Sequence, residues 1–402
     1  MTALSRTTHW GFIALAYFTL LAQSLIDNGR GPAYPDILTT FDLSSTSGAK
    51  IFALASFAAL FASLSTKWWL PKLELIRGSI VSLFLMTVAC FLFGRSPLIG
   101  TWLLDLSSFL MGLGMGGANV CMNLLIAKGT SPIHRRQFYA GLHSVYGLGS
   151  LSAPLILSFY LTQTTDKTWG DFYQYLCLLP ATILLIALIR YPALTKLKVA
   201  PTEALVPKAI YKAPVPLLMR LAYGTVFGFY VASEVIISSR LVYYLNEGHQ
   251  LPITESRMAL SVFFLALLAG RLLFTITSIK GQSHHWLIFS CLTTIAIYFS
   301  SRIFYPPLLA LTGLSMSYFY PVAMDWLANT FTEGLEWMTA SVLTSVSVFL
   351  VVMHLGFGYV TDRVNIEAAM AIVPLLLIFT IIMVVILEKA KAKIQSKQAH
   401  EN

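Results

Sequence analysis

Charge is what this sequence has least of. Asp, Glu, Lys and Arg make up 11% of its 402 residues, against about a quarter in a soluble domain. A chain this poor in charge, 56% hydrophobic and with a mean hydropathy of +0.72, cannot cover a water-facing surface. Its apolar runs are long and continuous, which excludes the alternating strands of a membrane barrel and points to an all-α polytopic membrane protein. Cysteine is scarce too. Cys90, Cys121, Cys177 and Cys291 each lie in an apolar run with no Cys-x-x-Cys spacing, so they are expected to pack rather than bind metal or form disulfides. There is no Gly-x-x-x-x-Gly-Lys-Ser/Thr loop, so ATP drive is not expected. There is no His-Glu-x-x-His motif and no nucleophile elbow. No enzyme activity, catalytic residue, metal or cofactor is therefore expected. No cleavable leader is expected either, since the first nine residues carry only Arg6 and no small-residue cleavage site follows. The net charge of +9 is of the kind that attracts nucleic acid. Basic residues also flank membrane spans, however, and no nucleic-acid partner is expected.

What is present is a series of twelve apolar stretches between residues 10 and 387, each near the ~20 residues a helix needs to cross a bilayer. The first covers residues 10–30, the fourth 98–127, the seventh 215–241 and the tenth 308–331. One internal connector is long and polar, with Pro192, Pro201 and Pro207. The expected organisation is a six-helix half at 1–190, a linker at 191–213, a second six-helix half at 214–390 and a tail at 391–402. Under this threading Lys and Arg crowd onto one side. They include Lys67, Lys72 and Arg77, then Lys128, Arg135 and Arg136, then the linker, then Lys389, Lys391, Lys393 and Lys397. The Lys- and Arg-rich side is the cytoplasmic one. Both termini are thus expected inside, in a plasma (inner) membrane, with membrane lipid and a small-molecule substrate as partners and the chain a monomer.

The halves resemble each other. Leu15-Ala16-Tyr17-Phe18-Thr19 matches Leu221-Ala222-Tyr223-Gly224-Thr225. At the same offset Asn28 meets Glu234, and Asp27 meets Ser233. Met111 to Ala127 aligns without a gap on Thr312 to Ala328, and Lys50 and Arg257 open the second helix of each half. Such a repeat is the sequence trace of a repeat protein with a polar site between its halves.

The candidate substrate-binding or ion-coupling residues are the polar groups inside the spans. Glu234 lies deep in an apolar stretch, where an ionised carboxylate costs upward of roughly 2.5 kcal/mol. It is kept there by a transport role or by structural pairing. Asp27, Asn28 and Arg30 close the first span. Asp27 and Arg30 are spaced for an i, i+3 salt bridge or for an external gate, and Gly29, Gly31 and Pro32 are expected to break the helix beside them. Asn119 and Asn123 share a helix face and can hydrogen-bond a polar solute; the preceding glycines at 112, 114, 116 and 117 suit close helix packing. His143 and Tyr146 share a face of the fifth span, either as site residues or as core groups. Tyr320 and Asp325 occupy the matching tenth span, where Asp325 either joins the site or reaches the interface. Arg240 and Arg271 are in-span cations that bind an anion or pair with an acid.

The chain resembles the major facilitator superfamily, and within it the fucose–glucose–galactose proton symporters. That family's seventh-helix Tyr-x-Gly-x-Glu/Gln element is matched by Tyr230-Val-Ala-Ser-Glu234. Its eighth-helix Gly-Arg is matched by Gly270-Arg271, its fifth-helix segment by Gly147-Leu-Gly-Ser-Leu-Ser-Ala-Pro154, and its tenth-helix Tyr-Pro by Tyr320-Pro321. The resemblance implies two six-helix halves that alternate access to a sugar site. Three positions depart from it. The fourth-helix proton-linked Glu is Asn119, the first-helix acid falls on Gly31, and the Gly-x-x-x-Asp-Arg loop reads Ser65-Thr-Lys-Trp-Trp.

The expected function is a secondary active transporter of a small polar solute, a sugar first, by symport with H⁺ or Na⁺. A second reading is transport of an organic anion or larger amphiphile, favoured by Arg30, Arg240, Arg271 and the 13% aromatic content. A non-transporting membrane enzyme or sensor is the third, and the repeat argues against it. The orientation has a direct test. A cysteine placed at Lys198 should stay unlabelled by a membrane-impermeant thiol reagent in intact cells, and efficient labelling there reverses the topology.

Overall fold

The structure is a computed structural model that describes residues 8–130, 135–163, 167–196, 215–276, 281–331 and 335–401. In hydrocarbon no water is available to backbone N–H and C=O groups, so each apolar run has to close its hydrogen bonds within itself. The described runs do so as helices, and no strand occurs among the described residues. The chain divides into two compact units, Met1–Lys208 and Ala209–Asn402. The first holds α1 (Trp10–Phe41), α2 (Ser45–Leu64), α3 (Thr66–Ile99), α4 (Thr101–Gly129), α5 (Arg135–Thr162) and α6 (Trp169–Lys196). The second holds α7 (Leu217–Tyr243), which runs on into a π-turn at Tyr244–Gly248, then α8 (Ile253–Ile276) and α9 (Ser283–Ile303). There follow α10, in three pieces (Pro306–Leu311, Thr312–Met316 and Phe319–Thr330), α11 (Leu335–Arg363), and α12 (Ile366–Met370 continued by Ile372–Glu401). Side chains mark several starts. Ser44 caps α2 by accepting from the Ser47 N–H, Thr168 and Asp171 form a reciprocal capping box at α6, and Asn365 caps α12.

Several boundaries differ from those expected. The first helix does not end at Arg30 and does not break at Gly29, Gly31 and Pro32; α1 continues to Phe41 with Pro32 and Pro35 inside it. Nearly all of its residues from Gly29 to Leu38 are buried, and packing of that extent overrides the local tendency to break. Asp27 and Asn28 therefore sit in the middle of a long helix. The tenth span is the discontinuous one. Pro321 has no N–H to give the Ser317 carbonyl, and the helix steps between Met316 and Phe319. Among the described residues, eleven helices are long and apolar enough to cross a membrane, and α10, in three pieces, is not one of them. Helix α6 reaches Lys196, inside the stretch assigned to the linker, and α12 runs to Glu401 through the stretch assigned to a tail. The rest of the linker, 197–214, lies outside the described residues.

Each unit pairs its helices in the same way. In the first, α1 packs on α5, α2 on α4, and α3 on α4 and α6; in the second, α7 packs on α11, α8 on α10, and α9 on α10 and α12. The closest approach recurs at aligned positions. A Cβ built on Gly112 of α4 would run into the backbone of Ala55 on α2, and one on Gly313 of α10 into the backbone of Phe263 on α8. Gly116 against Ala59, one turn on, repeats the contact in α4. Neither backbone can retreat without opening the rest of its seam. Gly112→Val and Gly313→Val should each cost about 1–3 kcal/mol of stability, read as a fall in Tm of the purified protein. A wild-type Tm in either variant removes the close approach at that seam.

Candidate functional site

The first unit builds a polar cluster on α1. Gln23, Asp27 and Arg30 recur at helical spacing on one face, and Ser24 and Asn28 on the adjoining one. Helix α5 comes close enough to meet them because Gly141 and Gly149 leave room for the Tyr17 hydroxyl and the Ser24 hydroxyl. Tyr17 donates to the Phe138 carbonyl at 2.7 Å. That approach delivers Tyr146 and Ser150, one turn apart on α5. The Asn28 amide donates to Ser150 Oγ at 2.9 Å, to the Tyr146 hydroxyl at 3.3 Å and to the Ser24 carbonyl at 2.9 Å. Tyr146 donates in turn to Asp27 Oδ2 at 3.3 Å.

Arg30 is buried and is held from several directions. Its Nη2 meets Asp27 Oδ1 in an i, i+3 ion pair. Its Nη1 donates to the Ile51 carbonyl at 3.3 Å, and its guanidinium lies over the Phe52 ring at 5.1 Å. Both carboxylate oxygens of Asp27 and the faces of Arg30 are thus engaged within the unit. The pair carries no net charge, with the guanidinium buried and the Asp27 side chain 30% exposed. Asn119 and Asn123 on α4 are exposed. Asn119 Oδ1 accepts from Gln23 at 3.1 Å, and Asn123 donates to the Asn119 carbonyl at 2.7 Å. One turn before Tyr146, His143 is exposed on α5.

The second unit places Glu234 on α7, half-buried, with Arg271 Nη2 of α8 at 3.8 Å from its Oε1. That separation is too long for a hydrogen bond, so the pair is looser than the one in the first unit. One turn before Glu234, the buried Tyr230 donates to the Met316 carbonyl at 2.6 Å and stacks on Phe319 at 3.5 Å between centroids. These two residues flank the step in α10. Ser290 of α9 donates to the neighbouring Ser315 carbonyl at 2.7 Å. Side chains of α7 and α9 thus satisfy the carbonyls where α10 is interrupted, which is what allows an irregular backbone inside a membrane protein.

Of the remaining expected residues, Tyr320 lies within electrostatic reach of Glu234, and Arg240 and Asp325 have other partners. Tyr320 is half-buried, its ring edge-on to Phe227 at 5.8 Å. Arg240 is fully buried further along α7, with its guanidinium over Phe357 of α11 at 5.5 Å. Asp325 is exposed near the end of α10, where it accepts from Ser283 at 2.7 Å and from Asn329 at 3.1 Å. Two further carboxylates were not anticipated. Glu367 faces Arg302 at 3.1 Å and His249 at 3.0 Å. Glu388 accepts from the Trp326 indole at 2.6 Å. No group of three or more His, Cys, Asp and Glu able to hold a metal occurs among the described residues.

The family model described as Major Facilitator Superfamily matches residues 13–334. The chain belongs to the major facilitator superfamily. It is a multi-pass membrane protein of that transporter family, with the family's fold. A D-xylose–proton symporter of known crystal structure superposes with a TM-score of 0.74 at 12% identity, covering 93% of this chain and 97% of the other. A peptide transporter solved in complex with sulfate gives a TM-score of 0.74 at 10% identity, covering 95% and 94%. At such identity these likenesses concern the fold alone. No curated protein gives a significant sequence match.

Within this superfamily member, Gln23, Ser24 and Ser150 were missed by sequence reasoning. The signal was present as i, i+4 spacing, Gln23 to Asp27, Ser24 to Asn28 and Tyr146 to Ser150. Serine in an apolar helix is usually satisfied by its own backbone, and that habit hid it. The Asp27–Arg30 pair has a stability test. Asp27→Ala leaves a buried guanidinium without its counter-charge and should cost about 3 kcal/mol or more. Asp27→Ala with Arg30→Met removes both charges and should recover most of the lost Tm. A double variant no better than the single one shows that the pair is not what holds Arg30 in place.

Proposed function

We propose that this chain is a secondary active transporter of a small neutral polar solute, a sugar in the first instance, coupled to H⁺ or Na⁺. It works by alternating access, with the two repeat halves moving as units. Under this reading both termini face the cytoplasm, the protein sits in the plasma (inner) membrane, and it acts as a monomer.

The observation that carries the substrate class is the neutral cluster on α1, α4 and α5. Its only opposite charges, Asp27 and Arg30, are spent on each other, while the amides of Asn119 and Asn123 are exposed. Amides donate and accept, as hydroxyl groups do, so they suit a hydroxylated solute and offer an anion no net charge. Glu234 is the residue proposed for coupling. It is an in-span carboxylate in the stretch matching the family's seventh-helix element, and its pairing with Arg271 at 3.8 Å can be exchanged with little loss of hydrogen bonding. The second reading, an organic anion, is favoured by one observation, the half-exposed Arg271, which could take an anion in place of Glu234.

Uptake into proteoliposomes holding only this protein, with a panel of radiolabelled sugars and organic acids under imposed proton and sodium gradients, tests both readings. Gradient-driven accumulation of a sugar is expected. Accumulation of organic acids alone selects the second reading, and accumulation of neither class removes both. Glu234→Gln should abolish gradient-driven accumulation and leave counterflow exchange, because the amide keeps hydrogen bonding but carries no proton. Accumulation at the wild-type level by this variant takes the coupling role away from Glu234.

A further inference from the structure

The start of α3 is a short helix of its own. Glu74, at φ 61° and ψ 166°, interrupts α3 after the first eight residues, Thr66 to Leu73. The inner face of this segment is pinned by Trp69. Its indole N–H donates to the Ala62 carbonyl at 2.9 Å, and its ring fills the space beside Gly78, 3.1 Å from where a Cβ would be. The opposite face has no such anchor. Trp68 is 62% exposed, Lys72 follows it at i, i+4 on the same side, and both lysines of the segment are exposed. Lys67 curls over Trp68, with Nζ 4.6 Å from the ring centroid. Two ammonium groups therefore flank one outward-facing indole. The one acid in the stretch is Glu74, at the interruption. The next cation, Arg77, already donates to the Tyr191 hydroxyl at 2.7 Å.

In a membrane protein an exposed tryptophan settles at headgroup depth, with its ring against the acyl boundary and its N–H toward the polar layer. Ammonium groups held at that depth attract anionic headgroups more strongly than zwitterionic ones, which carry no net charge. We propose that Lys67, Trp68 and Lys72 form a docking site for the phosphate headgroup of an anionic phospholipid. The indole supplies the apolar floor and the two lysines supply the charge. The site is separate from the polar cluster of α1 and stands whether or not the solute assignment does.

Native mass spectrometry of the full chain, from micelles doped with equal amounts of chain-matched phosphatidylglycerol and phosphatidylcholine, tests the proposal. The wild-type protein should retain phosphatidylglycerol about tenfold over phosphatidylcholine, and Lys67→Gln with Lys72→Gln should bring the ratio near parity. Lys67→Arg with Lys72→Arg should keep the preference. So should Arg95→Gln, which alters another basic–aromatic pair, Arg95 over Phe91 at 5.5 Å. Excess inorganic phosphate should not displace the lipid. Three outcomes overturn the site: equal retention of the two lipids by the wild-type protein, a loss of selectivity in Arg95→Gln as large as in the double glutamine variant, or displacement by inorganic phosphate, which marks a free-anion site instead. If the double glutamine variant does not fold, Lys67→Gln and Lys72→Gln alone should each lower the ratio about threefold, and no change in either has the same weight against the proposal.

Discussion

A charge placed inside a low-dielectric bundle has to be answered by another group, and that requirement organises the polar interior of this protein. It is met in two different ways. On α1 the answer is complete, because Asp27 and Arg30 lie one turn apart and the leftover hydrogen-bonding capacity of each is taken up by Tyr146, by the Ile51 carbonyl and by the Phe52 ring. On α7 the answer is partial, because Glu234 and Arg271 come from different helices and stop at 3.8 Å. A complete answer makes a charge part of the scaffold. A partial one leaves it available, and transport chemistry needs a group that can change partners.

The two units also show how one packing scheme tolerates different chemistry. The seams described above recur in each, but at several positions the small residue that permits contact changes sides. In the first unit the glycines at 141 and 149 belong to α5 and face Tyr17 and Ser24 of α1; in the second, Gly224 and Gly228 belong to α7 and face Ser345 and Phe349 of α11. The same exchange occurs at the other seam. Gly116 of α4 meets Ala59 of α2, whereas the aligned Ser317 of α10 meets Gly270 of α8. What the seam requires is that one partner lack a side chain. Which partner does so is free, and the other is then able to carry a functional group. That freedom explains why Asn28 and Glu234 occupy aligned positions yet bond in unrelated ways, the first across to α5 and the second to α8.

Much of the scaffold was legible in the sequence because it is dictated by bulk properties: run length, charge scarcity and the aligned stretches at Met111 and Thr312. The all-α membrane fold follows from those features; the superfamily was read from a resemblance in motifs such as Tyr230-Val-Ala-Ser-Glu234 and Gly270-Arg271. The failures are local. Gly29, Gly31 and Pro32 read as a helix break, and they do break helices in water, but here the surrounding residues are buried and α1 carries through. The real interruption, at Ser317 and Tyr318 of α10, had Pro321 as its only local sign. It persists because Tyr230 and Ser290 from other helices cap the exposed carbonyls. Neither outcome is written in the segment itself, since each is decided by side chains distant in sequence. The polar cluster was legible by type and face but not by partner, which is why Asn28, Tyr146, Asp27 and Arg30 were all named while Gln23, Ser24 and Ser150 were not.

The Tyr230 contact ties these strands together. Tyr230 and Glu234 stand one turn apart on α7, so any rotation or bend of that helix that moves the carboxylate also moves the hydroxyl that caps Met316. Releasing that carbonyl in a dry interior has a cost of about 1–3 kcal/mol, large enough to couple the two positions and small enough to be crossed in a transport cycle. The stack of Tyr230 on Phe319 adds contact on the far side of the same step. The break in α10 is therefore mechanically linked to the loosely paired charge, within one unit and through one residue. Among the described residues the tightly closed Asp27–Arg30 pair has no such link to an interrupted helix, and under the proposed transport cycle this difference favours Glu234 over Asp27 as the coupling group.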